Sequence, residues 1–289
     1  MNQFSIAVIG SIVATIVILL TRLVFYKIRD IFPSRAIFRH ISGSKITCCV
    51  FILRMTDQER QGRFLAPLPS YAIATQQQEF QPRQLTPWVT SIYEAQSLAH
   101  VLNVLGRVGR TKNIELLYAD RDFDRWDAPM FILGGSWKAT RAFETCNPLF
   151  TFTGESFFLR PTSESFVPQS AEHDIGLLEK MTNQTTGYPV WIAMGWRGAG
   201  TNAATYALAK WWKEFGILYG RKNFGLIVGL NDRDGWQQSF ILKLHPTPHW
   251  LRKLLHSVAW TKLKNAMISD SQMPEFESNA TEPTVPPDR

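Results

Sequence analysis

The chain has 289 residues, 45% of them hydrophobic, and 31 basic against 24 acidic side chains give it a formal charge of +7. That composition fits a folded globular protein with core enough for one α/β domain. Three cysteines, two of them adjacent as Cys48 and Cys49, exclude both a disulfide framework and a cysteine metal site, and the odd count fits a reducing compartment.

Met1 to Thr21 carries no charged side chain, and Ile6 to Leu20 is nearly continuous Ile, Val, Leu and Ala. A bilayer span needs roughly 20 such residues, so Phe4 to about Tyr26 is expected to be a transmembrane helix, with Arg22 snorkelling at its end. A cleaved signal peptide would carry its charges before the apolar run, whereas here they follow it. Arg22, Lys27, Arg29, Arg35, Arg39 and Lys45 oppose only Asp30. The positive-inside rule then predicts a single-pass protein of the bacterial inner membrane with its C-terminal domain in the cytoplasm. These cations also account for much of the excess charge as lipid contacts, and no nucleic-acid motif is present. The expected organisation is an anchor over 1–27, a basic juxtamembrane segment over 28–45, a cytoplasmic α/β domain over 46–248, a basic amphipathic helix over 249–268 and a disordered tail over 269–289.

Ile46 to Leu53 is rich in β-formers and predicts the first strand. Thr56 to Thr90 holds Pro67, Pro69, Pro82 and Pro87 and predicts a loop or lid. Ser91-Ile-Tyr-Glu94 has capping-box spacing, and the apolar residues from Ile92 to Leu105 recur with helical period. Asn113 to Tyr118 and Ala128 to Leu133 predict strands, the second running into Gly134-Gly135-Ser136 and a helix through about Cys146. Pro189 to Met194 predicts a buried strand. It leads through Gly195, Gly198 and Gly200 into a helix from Thr201, expected as its cap, to about Phe215, and that helix is apolar nearly all round. Phe224–Leu230 and Ser239–Leu244 predict a hairpin at a sheet edge.

Alternating strands and helices predict an α/β fold: a Rossmann-like, mostly parallel sheet flanked by helices, with room for an antiparallel edge. The Ile-Leu-Gly-Gly-Ser junction, the Ala-Met-Gly-Trp-Arg-Gly-Ala-Gly-Thr-Asn stretch and Phe224-Gly-Leu-Ile-Val-Gly229 together resemble uncharacterised bacterial Rossmann-like domains over roughly 91–245. Ser136 and Trp137 depart from that pattern. The resemblance implies a fold and brings no known chemistry.

In an open parallel sheet, ligands bind beyond the carboxyl ends of the strands, where helix N-termini offer N–H groups to anions. The expected ligand contacts are Gly134, Gly135, Ser136, Lys138, Gly195, Arg197, Gly198, Gly200, Thr201 and Asn202, with Lys138, Arg141 and Arg197 adding charge-assisted bonds. The glycine spacing matches neither the dinucleotide fingerprint nor a P-loop. The Asp120–Asp127 carboxylates could hold a cation, but Arg125 stands where a calcium loop needs Gly and Phe131 where it needs Glu. The function expected is therefore a membrane-anchored cytoplasmic sensor or binding module for an anionic, nucleotide-like small molecule. One alternative is a nucleotide hydrolase or transferase on the same crevice, drawing on Glu144 or the Asp120–Asp127 loop; another is a structural or protein-interaction membrane protein. The expected partners are the lipid bilayer and an anionic small molecule, not nucleic acid. The sequence names no cofactor, metal or catalytic residue and leaves the oligomeric state open.

Overall fold

The computed structural model describes residues 3–26, 31–38, 45–50, 53–54, 88–89, 91–109, 113–118, 124–154, 156–168, 170, 172–231, 235–247 and 254–267. Most of the expected 56–90 loop and the whole 269–289 tail lie outside the described residues.

The elements in chain order are α1 (Gln3–Tyr26), α2 (Phe32–Phe38), β1 (Ile46–Val50), β2 (Leu53–Arg54), β3 (Trp88–Val89), α3 (Ile92–Arg107), β4 (Ile114–Tyr118), β5 (Met130–Leu133) and α4 (Trp137–Thr145). They continue with β6 (Phe150–Phe152), β7 (Phe157–Leu159), β8 (Glu164–Phe166), β9 (His173–Thr182), β10 (Pro189–Gly195), α5 (Gly198–Leu218), β11 (Phe224–Asn231), β12 (Phe240–His245) and α6 (Leu254–Asn265).

The expected membrane anchor is corrected: among the described residues, no helix is long and apolar enough to cross a membrane. Without a span the positive-inside argument has no premise, so the placement as a single-pass inner-membrane protein with a cytoplasmic domain falls with it. The segment expected to be juxtamembrane instead contains α2, whose Ile37 and Phe38 are 2% and 1% exposed in the main core.

The expected mostly parallel, Rossmann-like sheet is corrected as well. Seven strands form one mixed sheet in the order β12-β11-β9-β10-β5-β1-β4. The run β4, β1, β5 and β10 is parallel, while β9 is antiparallel to both β10 and β11, and β12 is antiparallel to β11. The strand that changes the class is β9. It joins β10 through a short turn, which forces an antiparallel pair. It then lies between β10 and β11, the two strands that α5 connects. The hairpin expected at a sheet edge is present as β11–β12.

Two apolar layers cover the sheet. On one face α2, α3, α5 and α6 bury Phe131, Trp191, Phe224 and the α5 residues Ala203, Ala204, Ala207 and Phe215. On the other, α4 and a separate three-stranded sheet, β6-β7-β8, enclose Ile132, Leu177, Met181 and Ile192. The helices start where capping chemistry directs. The Ser91 hydroxyl accepts from Glu94 N while the Glu94 carboxylate accepts from Ser91 N, completing the box at α3. Ser136 caps α4 through Ala139 N at 3.3 Å. The basic helix α6 packs on the domain, burying Ala259 and Leu263, and Lys262 pairs with Glu214 of α5 at 3.2 Å.

Candidate functional site

The parallel half of the sheet has a reversal point. From β1 the chain passes through α3 to β4 on one side, then returns to β5 on the other, so β1 and β5 are neighbours whose outgoing connections diverge. That is where an open α/β sheet leaves a crevice beyond its strand ends. The two glycine turns meet beside it. β5 and β10 are adjacent and parallel, Gly134 N donates to Ala193 O at 2.9 Å, and Gly135 approaches Met194.

The N-terminus of α5 is already occupied by the chain itself. Asp174, fully buried on β9, accepts from Ile175 N at 2.8 Å, Arg197 N at 3.1 Å and Gly200 N at 2.6 Å. A carboxylate thus takes the amides and partial positive charge that an external anion would use there. The glycines serve this close approach. A Cβ on Gly200 would lie 2.1 Å from Ile175 O, one on Gly176 2.1 Å from Gly200 O, and one on Gly195 2.3 Å from both Arg197 O and Thr201 N. A Cβ on Gly198 would meet the Tyr93 ring at 2.6 Å.

The remaining expected contacts divide. Thr201 does not cap α5, since Arg197 holds that position; its hydroxyl accepts from Gly195 N at 2.8 Å and braces the turn. Asn202 is buried between helices and donates to Gln96 at 2.7 Å. Burial lowers the pKa of His100, and Asn202 raises it in part. Lys138 is fully buried, with its ammonium 3.9 Å from the centre of the Trp126 ring and donating to Arg125 O. Gly135 and Arg197 are exposed, and Ser136 is buried at its cap. Of the ten expected residues, Gly135 and Arg197 are the ones exposed at the two turns, while the buried Ser136 hydroxyl accepts from Ala139 N.

Acid, base and metal candidates from the sequence are committed elsewhere. Glu144 pairs with Arg141 at 2.6 Å, Asp124 with Arg141 at 3.6 Å and Asp127 with Arg125 at 3.0 Å. The Arg125 guanidinium holds Asp127 below the ordinary carboxylate range. Asp120 and Asp122 lie outside the described residues. No group of His, Cys, Asp or Glu among the described residues could hold a metal ion. Burial pushes the Cys48 thiol up to about 12 and the Cys146 thiol up to about 11, so neither is a thiolate nucleophile at neutral pH.

No family model, curated protein or solved structure matches the chain. What can be said of the site therefore comes from its own geometry. The residue at this junction that the sequence did not point to is Asp174. Its one sequence signal is an acidic residue directly before the Ile175-Gly176 step of an apolar run, a pattern that points to a buried carboxylate only once Gly176 is known to face Gly200.

Proposed function

We propose that this chain is a binding module for a small anionic molecule, held beyond the carboxyl ends of β1, β5 and β10. The observation that carries the reading is the meeting of the two glycine turns next to the β1/β5 reversal point, with Gly135 and Arg197 exposed at the rim. Because Asp174 fills the α5 N-terminus, the anion is taken by the Gly135–Ser136 turn and the Arg197 guanidinium, which can form charge-assisted bonds to phosphate or carboxylate. Asp174 also favours a second reading, a structural module in which these glycines serve only close packing.

Calorimetry and thermal shift of the full chain against inorganic phosphate, sulfate and a set of nucleoside mono-, di- and triphosphates separate the two readings. Arg197→Ala should weaken binding about 10- to 100-fold, the value of a charge-assisted hydrogen bond of about 1.5–3 kcal/mol. Gly135→Val should block the mouth while leaving the fold intact, because a Cβ there meets only Met194 Cε at 3.7 Å. If no anion binds, or if both variants bind as the wild type does, the ligand reading fails and the structural module stands.

A further inference from the structure

β4 closes one end of the seven-stranded sheet, and among the described residues β1 is its only strand partner. One bond fixes the phase of that parallel pair: Ile46 N donates to Asn113 O at 3.0 Å, so Asn113, Glu115 and Leu117 turn their backbone groups towards β1. Ile114, Leu116 and Tyr118 therefore turn theirs outward. The Leu116 side chain is 56% exposed, whereas Ile114 packs on the main core. The opposite end of the sheet is guarded. On β12 the Ile241 amide donates to Ala266 O at 3.0 Å, the strand carries Lys243, and a register shift interrupts its pairing with β11. β4 has no proline, no lysine and no register shift, and its one charged side chain, Glu115, is committed to Lys45 at 2.6 Å and Arg125 at 3.1 Å.

We propose that the β4 edge pairs with the β4 edge of a second copy of this chain, antiparallel and about a two-fold axis through Leu116. An unguarded edge is a template for another strand, and three features select a second copy as that strand. The first is symmetry: the outward residues lie evenly about Leu116, so Leu116 exchanges both of its backbone bonds with its twin, and Ile114 exchanges its bonds with Tyr118 of the other copy. The second is the exposed Leu116 side chain, which the axis sets against its twin on the same face of the joined sheet. The third is charge. Arg110 and Lys112 precede β4 in the sequence, and Asp120 and Asp122 follow it, with Arg121 between them leaving that flank net acidic. Reversing one strand against the other brings the basic flank of each copy to the acidic flank of its twin, whereas a parallel pair sets like charge against like.

Across the seam Glu115 stands opposite Leu117 of the twin, and its own Lys45 and Arg125 neutralise it there. The axis is perpendicular to the sheet, so the helices that cover one face lie on the same side in both copies. The joined sheet then runs without a break from one β12 to the other. Its two ends are the guarded edges, so the pairing closes at two copies instead of growing into a fibre. The anion reading of the β1/β5 crevice is not needed for any of this.

Sedimentation equilibrium of the full chain over a concentration series should show a monomer–dimer equilibrium. Leu116→Pro keeps the β1–β4 ladder, because the Leu116 amide points outward, but takes that amide from the centre of the seam; it should raise the dissociation constant at least about tenfold. Two charge variants test the register: Arg110→Glu with Lys112→Glu, and Asp120→Lys with Asp122→Lys. Each alone sets like charges at both ends of the seam and should shift to monomer. Mixed in equal amounts they should dimerise again, because one copy is then acidic at both flanks and the other basic at both. The pairing is overturned by a wild type that stays monomeric, by an association that Leu116→Pro leaves unchanged, or by a mixture that does not associate. Should Leu116→Pro fail to fold, the mixture decides alone, since two misfolded variants do not restore one another's dimer.

Discussion

Gly200→Ala tests most directly what the α5 glycines are for. A Cβ at this position would stand 2.1 Å from Ile175 O, 2.8 Å from Ile175 C and 3.0 Å from Asp174 Oδ1. An ordinary carbon–oxygen contact is about 3.3 Å or more, so the first turn of α5 would have to move off β9 by about 1 Å. Two of the three opposing atoms are backbone in the middle of a sheet and cannot yield cheaply. Overpacking of this kind costs about 1–3 kcal/mol. The shift also stretches the Asp174 bonds to Gly200 N and Arg197 N, and hydrogen bonds to charged groups are each worth about 1.5–3 kcal/mol. A total loss of about 3–5 kcal/mol follows, a large part of the stability of an ordinary domain. Helix propensity alone predicts the opposite sign, a gain of roughly 1 kcal/mol on replacing Gly by Ala. Equilibrium urea unfolding of the full chain decides between them. A midpoint unchanged within the equivalent of about 1 kcal/mol, or raised, would refute the packing argument and return the glycines to a role in binding.

Two further predictions concern buried charges on β9. Asp174→Ala leaves the Arg197 and Gly200 amides without their carboxylate and should lower stability by about 2–4 kcal/mol in the same urea experiment; a loss under about 0.5 kcal/mol would show that the carboxylate does not hold the α5 N-terminus. Lys180 is 2% exposed and donates to Gly220 O at 2.8 Å, and burial brings its ammonium down to about 8 from the ordinary 10.5. Between those values the unfolded chain keeps a proton that the folded chain has lost, so this group makes stability rise with pH there, by up to about 3 kcal/mol. Lys180→Met should remove that rise, as measured by urea midpoints at pH 8 and pH 10; an identical pH slope in both proteins would count against it.

Much of the local structure was legible because it depends on near neighbours in the chain. The Ser91–Glu94 box, the strands around Ile192 and Ile227 and the helices after Ser136 and after the Gly195–Gly200 turn follow from capping chemistry, apolar runs and glycine placement, all of which act over a few residues. The adjacency of the two glycine turns was not fixed locally, because β6 to β9 separate the two units in the chain and the pairing of β5 with β10 brings them together.

The sequence by itself determined an α/β chain with a glycine turn after each of two buried strands and a helix running on from each turn. Tertiary structure decided what those turns face. β9 carries Asp174, Glu179 and Lys180 in a strand buried from Asp174 to Met181, so it lacks the apolar alternation that marks a strand, and its partners lie in distant parts of the chain: the α5 N-terminus, the start of β6 and the Gly220 carbonyl. Burying those three groups is tolerable only where their partners are already in place, and that is a property of the assembled sheet. The same strand separates β10 from β11, turns a parallel sheet into a mixed one and places a carboxylate in the helix N-terminus that the sequence alone would have left to an external anion.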